Sequence, residues 1–129
     1  MKLKAVLLAA CVALPSVPAM AANAALSGDE LRQAISGKTV YLRISGFEIP
    51  IRYNTGGRMS GTLGAVAASF ARGESASDTG KWWVKGDQLC QQWGHWMDGR
   101  SYCYRLTKSG SNVRWVRNDG RSGTARIGG

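Results

Sequence analysis

The chain has 129 residues, a formal charge of +9, three cysteines and one histidine. At about 100 to 200 residues per domain, that length excludes a two-domain enzyme. With 44% apolar and 19% charged residues it is also unlike the low-hydrophobicity, high-charge mixture of a disordered chain, so one folded domain is expected.

The start reads as an address. Met1-Lys2-Leu3-Lys4 is basic, Ala5 to Leu14 is apolar without a break, and Ala19-Met20-Ala21 is a small-x-small cleavage pattern. This is a secretory signal peptide over residues 1–21, cut after Ala21 or Ala22. A membrane anchor needs about 20 apolar residues, and Pro15 and Pro18 interrupt this run. Leu8-Ala9-Ala10-Cys11 also resembles the lipobox of bacterial lipoproteins, which would give lipid anchoring through Cys11 as the alternative to a periplasmic or secreted protein. Lys2 and Lys4 leave with the signal, so 15 of the 17 basic residues remain against 8 acidic ones, a charge of about +7 over residues 22–129.

Leu26-Ser27-Gly28-Asp29-Glu30-Leu31-Arg32-Gln33-Ala34-Ile35-Ser36-Gly37 predicts a helix at about 28–36. Ser27 and Glu30 form a capping box, Leu26 and Leu31 a hydrophobic staple, and Gly37 suits the stop. So short a helix must bury Leu31, Ala34 and Ile35 against something else.

From Thr39 the apolar period becomes two. Val40, Leu42 and Ile44, then Ile49, Ile51 and Tyr53, alternate with polar residues, as in half-buried strands. Residues 61–73 suit either one helical turn or a second pair of short strands, and 73–80 reads as an exposed loop. Five more strands are expected at 82–85, 88–93, 101–107, 112–117 and 121–127, separated by Gly86-Asp87, Asp98-Gly99, Ser109-Gly110 and Asp119-Gly120. All 17 glycines follow the signal, a density that fits many tight turns and excludes a helical bundle. The fold class is therefore mainly β, a small antiparallel barrel or strongly curved meander sheet with one short N-terminal helix. Gly57-Arg58-Met59-Ser60-Gly61-Thr62 is echoed by Gly120-Arg121-Ser122-Gly123-Thr124, which reads as two similar turns feeding strands.

Export leaves two cysteines, Cys90 and Cys103, on consecutive strands in an oxidising setting, so one cross-strand disulfide is expected. Closing such a loop contributes about 3 kcal/mol in the chain-entropy model. The bond also sets a register: Cys90 and Cys103 share a face with Gln92 and Arg105, while Leu89 and Trp93 face the other way with Tyr102, Tyr104 and Leu106.

The blocks Gly57-Arg58-Met59-Ser60-Gly61, Asp78-Thr79-Gly80-Lys81-Trp82-Trp83-Val84, Leu89-Cys90-Gln91-Gln92-Trp93, Tyr102-Cys103-Tyr104 and Asp119-Gly120-Arg121-Ser122-Gly123-Thr124-Ala125 resemble a family of small secreted proteins of Gram-negative bacteria. Its layout is a signal peptide, a short helix ending in a turn such as Gly37-Lys38-Thr39, and a β-rich body with two cysteines. The family is a domain of unknown function, so the resemblance implies export and a small β-rich fold and transfers no catalytic residue.

One histidine leaves nucleophilic catalysis dependent on His95, around which no triad pattern stands. Glu48, Glu74, Asp78 and Asp98 keep a small carboxylate-dependent envelope hydrolase as an alternative. His95 and Met97 would suit Cu(I) or haem, but a single His and Met make an incomplete set, so no metal and no cofactor is expected. Eleven arginines and five tryptophans carry more information. Trp82 and Trp115 are expected in the core, with a binding role for at least one of Trp83, Trp93 and Trp96. Export argues against nucleic acid despite the basic charge, and no transmembrane segment follows the signal.

The sequence therefore points to a non-enzymatic periplasmic or secreted binding module for an anionic or carbohydrate-like envelope partner, with Trp93, Trp96, Arg100 and Arg105 as contacts. A protein-binding inhibitor or accessory factor using the stapled hairpin is the other alternative.

Overall fold

The structure, a computed structural model, describes residues 11–13, 24–70 and 75–128. The signal-peptide expectation falls outside these except at Cys11, Val12 and Ala13, where Cys11 is an exposed free thiol. Glu74 also lies outside them.

Eight strands follow one another as antiparallel neighbours: β1 (Lys38–Ile44), β2 (Phe47–Tyr53), β3 (Arg58–Thr62), β4 (Ser77–Lys85), β5 (Gln88–Trp93), β6 (Ser101–Ser109), β7 (Asn112–Arg117) and β8 (Ser122–Ile127). β8 returns to β1 with Val40 facing Ile127 and Leu42 facing Ala125, so the sheet closes into a barrel rather than remaining an open curved sheet. Closure removes both sheet edges and puts one face of every strand inside. Val40, Ile49, Ile51, Leu106, Val113 and Ala125 form the inner face and are buried. Outside, Arg126 stacks 3.9 Å over the Tyr41 ring and its Nε donates to Glu48 Oε2 at 2.9 Å, tying β8, β1 and β2 across the closing seam. An apolar interior with arginines such as Arg52, Arg105 and Arg114 exposed outside reverses the polarity of barrels that stand in a bilayer. Among the described residues no helix is long and apolar enough to cross a membrane.

The topology sorts the connections into two ends. The β2–β3, β4–β5 and β6–β7 turns share one end with α1 (Gly28–Ile35), which seals it. The capping box forms: Ser27 N donates to Glu30 Oε1 at 3.0 Å and Glu30 N to Ser27 Oγ at 3.4 Å. The β4–β5 turn grips the helix start, where Gly28 N donates to Asp87 Oδ1 at 2.9 Å. Gly37 leaves the helix at φ +74° and donates to Tyr53 O at 2.7 Å. Leu31 and Ile35 are completely buried against the barrel, which supplies the packing an eight-residue helix lacks alone.

Two expectations change. Residues 61–73 contain the end of β3 and then a short helix, α2 (Ala65–Phe70), instead of one or the other. The loop expected over 73–80 gives way at Ser77 to β4, whose polar start is paired with β3 from Thr62↔Ser77 onward. Its Ser-Asp-Thr-Gly composition conceals a strand because Asp78 points inward to bind backbone N–H groups, while the Gln92 carbonyl crowds the place where a Cβ at Gly80 would stand.

Cys90 and Cys103 face each other across β5 and β6 and are disulfide-bonded, with Cα atoms 4.0 Å apart. The neighbouring pair Leu89↔Tyr104 faces the interior, as the register required.

Candidate functional site: the barrel lumen and its mouth

The interior is not filled. A cavity of about 1140 Å³ runs from Ile35 of α1, at the sealed end, past Ile49 and Ile51 to the opposite end, where the β1–β2, β3–β4, β5–β6 and β7–β8 connections surround a mouth. Eight strands leave room for either packed side chains or one small ligand, and known ligand pockets occupy about 300–1000 Å³.

Tryptophans would be expected to fill such a space; here glycines let them recede into the wall. Trp115 lies against Gly123, its cross-strand neighbour, so closely that a Cβ there would stand 2.5 Å from the ring. Trp93 and Trp96 pack together with ring centroids 4.7 Å apart and cover Gly61, where a Cβ would meet Trp96 at 2.6 Å and Trp93 at 2.9 Å. Gly61 and Gly123 are the second glycines of the two echoing segments, which therefore mark ring seats as well as turns.

A row of polar groups crosses the lumen. Tyr53 OH on β2 donates to Gln91 Oε1 on β5 at 2.9 Å, and Gln91 Nε2 donates to Tyr104 OH at 3.5 Å. Arg117, which faces Tyr104 across β6 and β7, donates through Nε and Nη2 to the two Asp119 oxygens at 2.8 and 2.6 Å. Burial, then the neighbouring Tyr104, pushes the Tyr53 phenol above its ordinary value; burial also raises Tyr104. The bond from Arg117 holds the Asp119 carboxyl down at about 2, and Asp119 in turn raises Arg117. Arg117 is firmly placed, its side chain only 12% exposed and its guanidinium 4.2 Å above the Tyr102 ring.

Arg43, Arg117 and Arg121 line the mouth, and no Asp or Glu among the described residues lines the cavity. Arg43 and Arg121 are exposed and have no ion-pair partner among the described residues. Trp115 Nε1 is buried with no hydrogen-bond partner among the described residues.

The loop after β5 is fixed from below by Asp78. Its Oδ2 accepts from His95 N and Trp96 N, each at 2.8 Å, and its Oδ1 from Thr79 N at 2.8 Å. Burial alone would raise this carboxyl, but the Trp96, His95 and Thr79 N–H groups outweigh it and leave the value lowered. Trp96 Nε1 adds a bond to Ser75 O at 2.9 Å. The loop then holds Met97 and Asp98 at φ +57°, with Met97 lining the cavity.

The four contacts expected from the sequence do not share a face. Trp93 and Trp96 are buried lumen residues, whereas Arg100 is exposed beyond the loop and Arg105 is exposed on the outside of β6. His95 is exposed, and among the described residues no three His, Cys, Asp or Glu side chains gather as a metal site. Of the carboxylates considered for hydrolysis, Asp78 is committed to backbone N–H groups and Glu48 to Arg126. Sequence reasoning passed over Tyr53, Gln91 and Gly61 as site residues; their shared inward parity with Trp93 was the available signal. No protein-family model, no curated protein and no solved structure matches this chain.

Proposed function

We propose that the protein is a non-enzymatic binding module whose working part is the lumen, taking up one small molecule of predominantly apolar body. The cavity of about 1140 Å³, open at one end and walled by aliphatic and tryptophan side chains, carries this reading. Burying an apolar body there is worth about 25 cal/mol for each Å² removed from water, and a preformed site avoids much of the ordering cost of binding. Its place of action is the periplasm or the cell exterior, supported by the leader pattern and the Cys90–Cys103 disulfide. The anionic partner inferred from the basic composition is thereby assigned to the arginine-lined mouth instead of an outer face.

Titration with N-phenyl-1-naphthylamine, a neutral apolar fluorophore, tests the lumen directly. A single saturable site with energy transfer from tryptophan is expected. A Gly61→Leu variant, which drives the Trp93 and Trp96 rings inward, should weaken it. Absence of saturable binding to the native, disulfide-bonded protein overturns the reading.

A further inference from the structure

We infer that the lumen's ligand is an amphiphile with an oxyanion head, a carboxylate or a phosphate monoester, held at the mouth by Arg117 and Arg121 while its apolar tail extends toward Ile35. This rests on the lumen being the binding site and names the class of molecule that fills it.

Three observations converge. First, every charged residue lining the cavity is an arginine, with no Asp or Glu beside Arg43, Arg117 and Arg121 among the described residues. Arginine presents a planar fork matched to carboxylate and phosphate oxygens, and beside a low-dielectric wall such pairing is stronger than in water.

Second, donors remain. Of the five N–H bonds of Arg117, one on Nε and one on Nη2 go to Asp119, so the guanidinium keeps donors for a ligand. Asp119 fixes the plane of the guanidinium without exhausting it. Arg121 stands at the same mouth without an ion-pair partner among the described residues.

Third, the polar row of Tyr53, Gln91 and Tyr104 across the lumen is already bonded within itself. An ionised head driven inward would therefore lose water and gain little. A head at the mouth keeps part of its hydration and meets the guanidiniums. The seven residues of β1 span roughly 23 Å along the strand at about 3.3 Å per residue, less when tilted about 40° to the axis, which leaves length for one extended tail.

The test compares four probes with the same twelve-carbon tail, each below its micellar concentration: dodecanoate, dodecyl phosphate, dodecanol and dodecyltrimethylammonium. Displacement of N-phenyl-1-naphthylamine from the native protein gives each affinity. One or both oxyanions should bind at least tenfold tighter than the alcohol, and the cationic probe weakest; which oxyanion leads distinguishes a carboxylate from a phosphate source. The Arg121→Met variant, which keeps Arg117, should cut the ratio of oxyanion to dodecanol affinity at least threefold. Equal affinity for all four heads, tightest binding of the cation, or an unchanged preference in the variant overturns the oxyanion assignment and leaves the lumen as a binding site. If the neutral fluorophore itself fails to bind, both readings fall together.

Discussion

Trp115 and Gly123 face each other across β7 and β8, and the indole occupies the space a side chain on β8 would take. The ring therefore belongs to the wall and the lumen stays open. Gly123→Val should force it inward. Overpacking of this kind costs about 1–3 kcal/mol, and urea denaturation of the variant should show a loss in that range together with weaker fluorophore binding. An unchanged midpoint and affinity would show that the ring has another place to go.

Tyr53→Phe removes the donor to Gln91 Oε1 in the buried row. Leaving a buried acceptor unpaired costs about 1–3 kcal/mol. Adding Gln91→Leu should restore part of the loss, because the unpaired amide is then gone. A double variant as unstable as the summed single variants would contradict this account.

The disulfide contributes through the unfolded chain. With Cys90 and Cys103 at a sequence separation of 13, the Cys90→Ser/Cys103→Ser double variant should lose about 3 kcal/mol in urea denaturation. Because the bond sits on the outer face, the folded variant should retain fluorophore affinity within about twofold.

Acid sensitivity follows from Asp78 and Asp119, both held below the usual carboxylate range. A depressed folded-state value gives stability that is complete above the unfolded value, near pH 4, and is lost as pH falls through the folded one, which for Asp119 is about 2. Thermal melts should therefore decline between about pH 4 and 2, and Asp78→Asn should flatten that decline while lowering the melting temperature at pH 7.

At the alkaline side the sign reverses. Tyr53 and Tyr104 hold their protons in the folded state beyond the point at which free phenols lose them. Between the unfolded value, near pH 10, and the raised folded value, stability falls with rising pH by about 1.4 kcal/mol per pH unit for each phenol. Tyr53→Phe should show a shallower fall above pH 10 than the native chain.

Much of the architecture was legible because its signals are local. Ser27 and Glu30 mark a helix start within four residues, and the alternation at Val40, Leu42 and Ile44 needs no distant partner to be seen. The cysteine pair even assigned Trp93 and Arg105 to opposite faces, so treating them as joint contacts conflicted with that register. The hidden parts depend on residues far apart in sequence. Asp78 looks like a loop residue until the N–H groups of His95 and Trp96 arrive 17 and 18 positions later. Whether a tryptophan fills a barrel or lines it depends on the residue opposite, and nothing beside Trp93 or Trp96 announces Gly61. The repeated glycine-arginine segments held that information, but two similar turns explained them equally well.

With α1 plugging one end, entry and exit share a single door. A guest that goes in tail first must come out head first. On the proposed binding mode, any acceptor would have to seize the end that the rim arginines hold, so handover would be a competition for a head group before any hydrocarbon is drawn out.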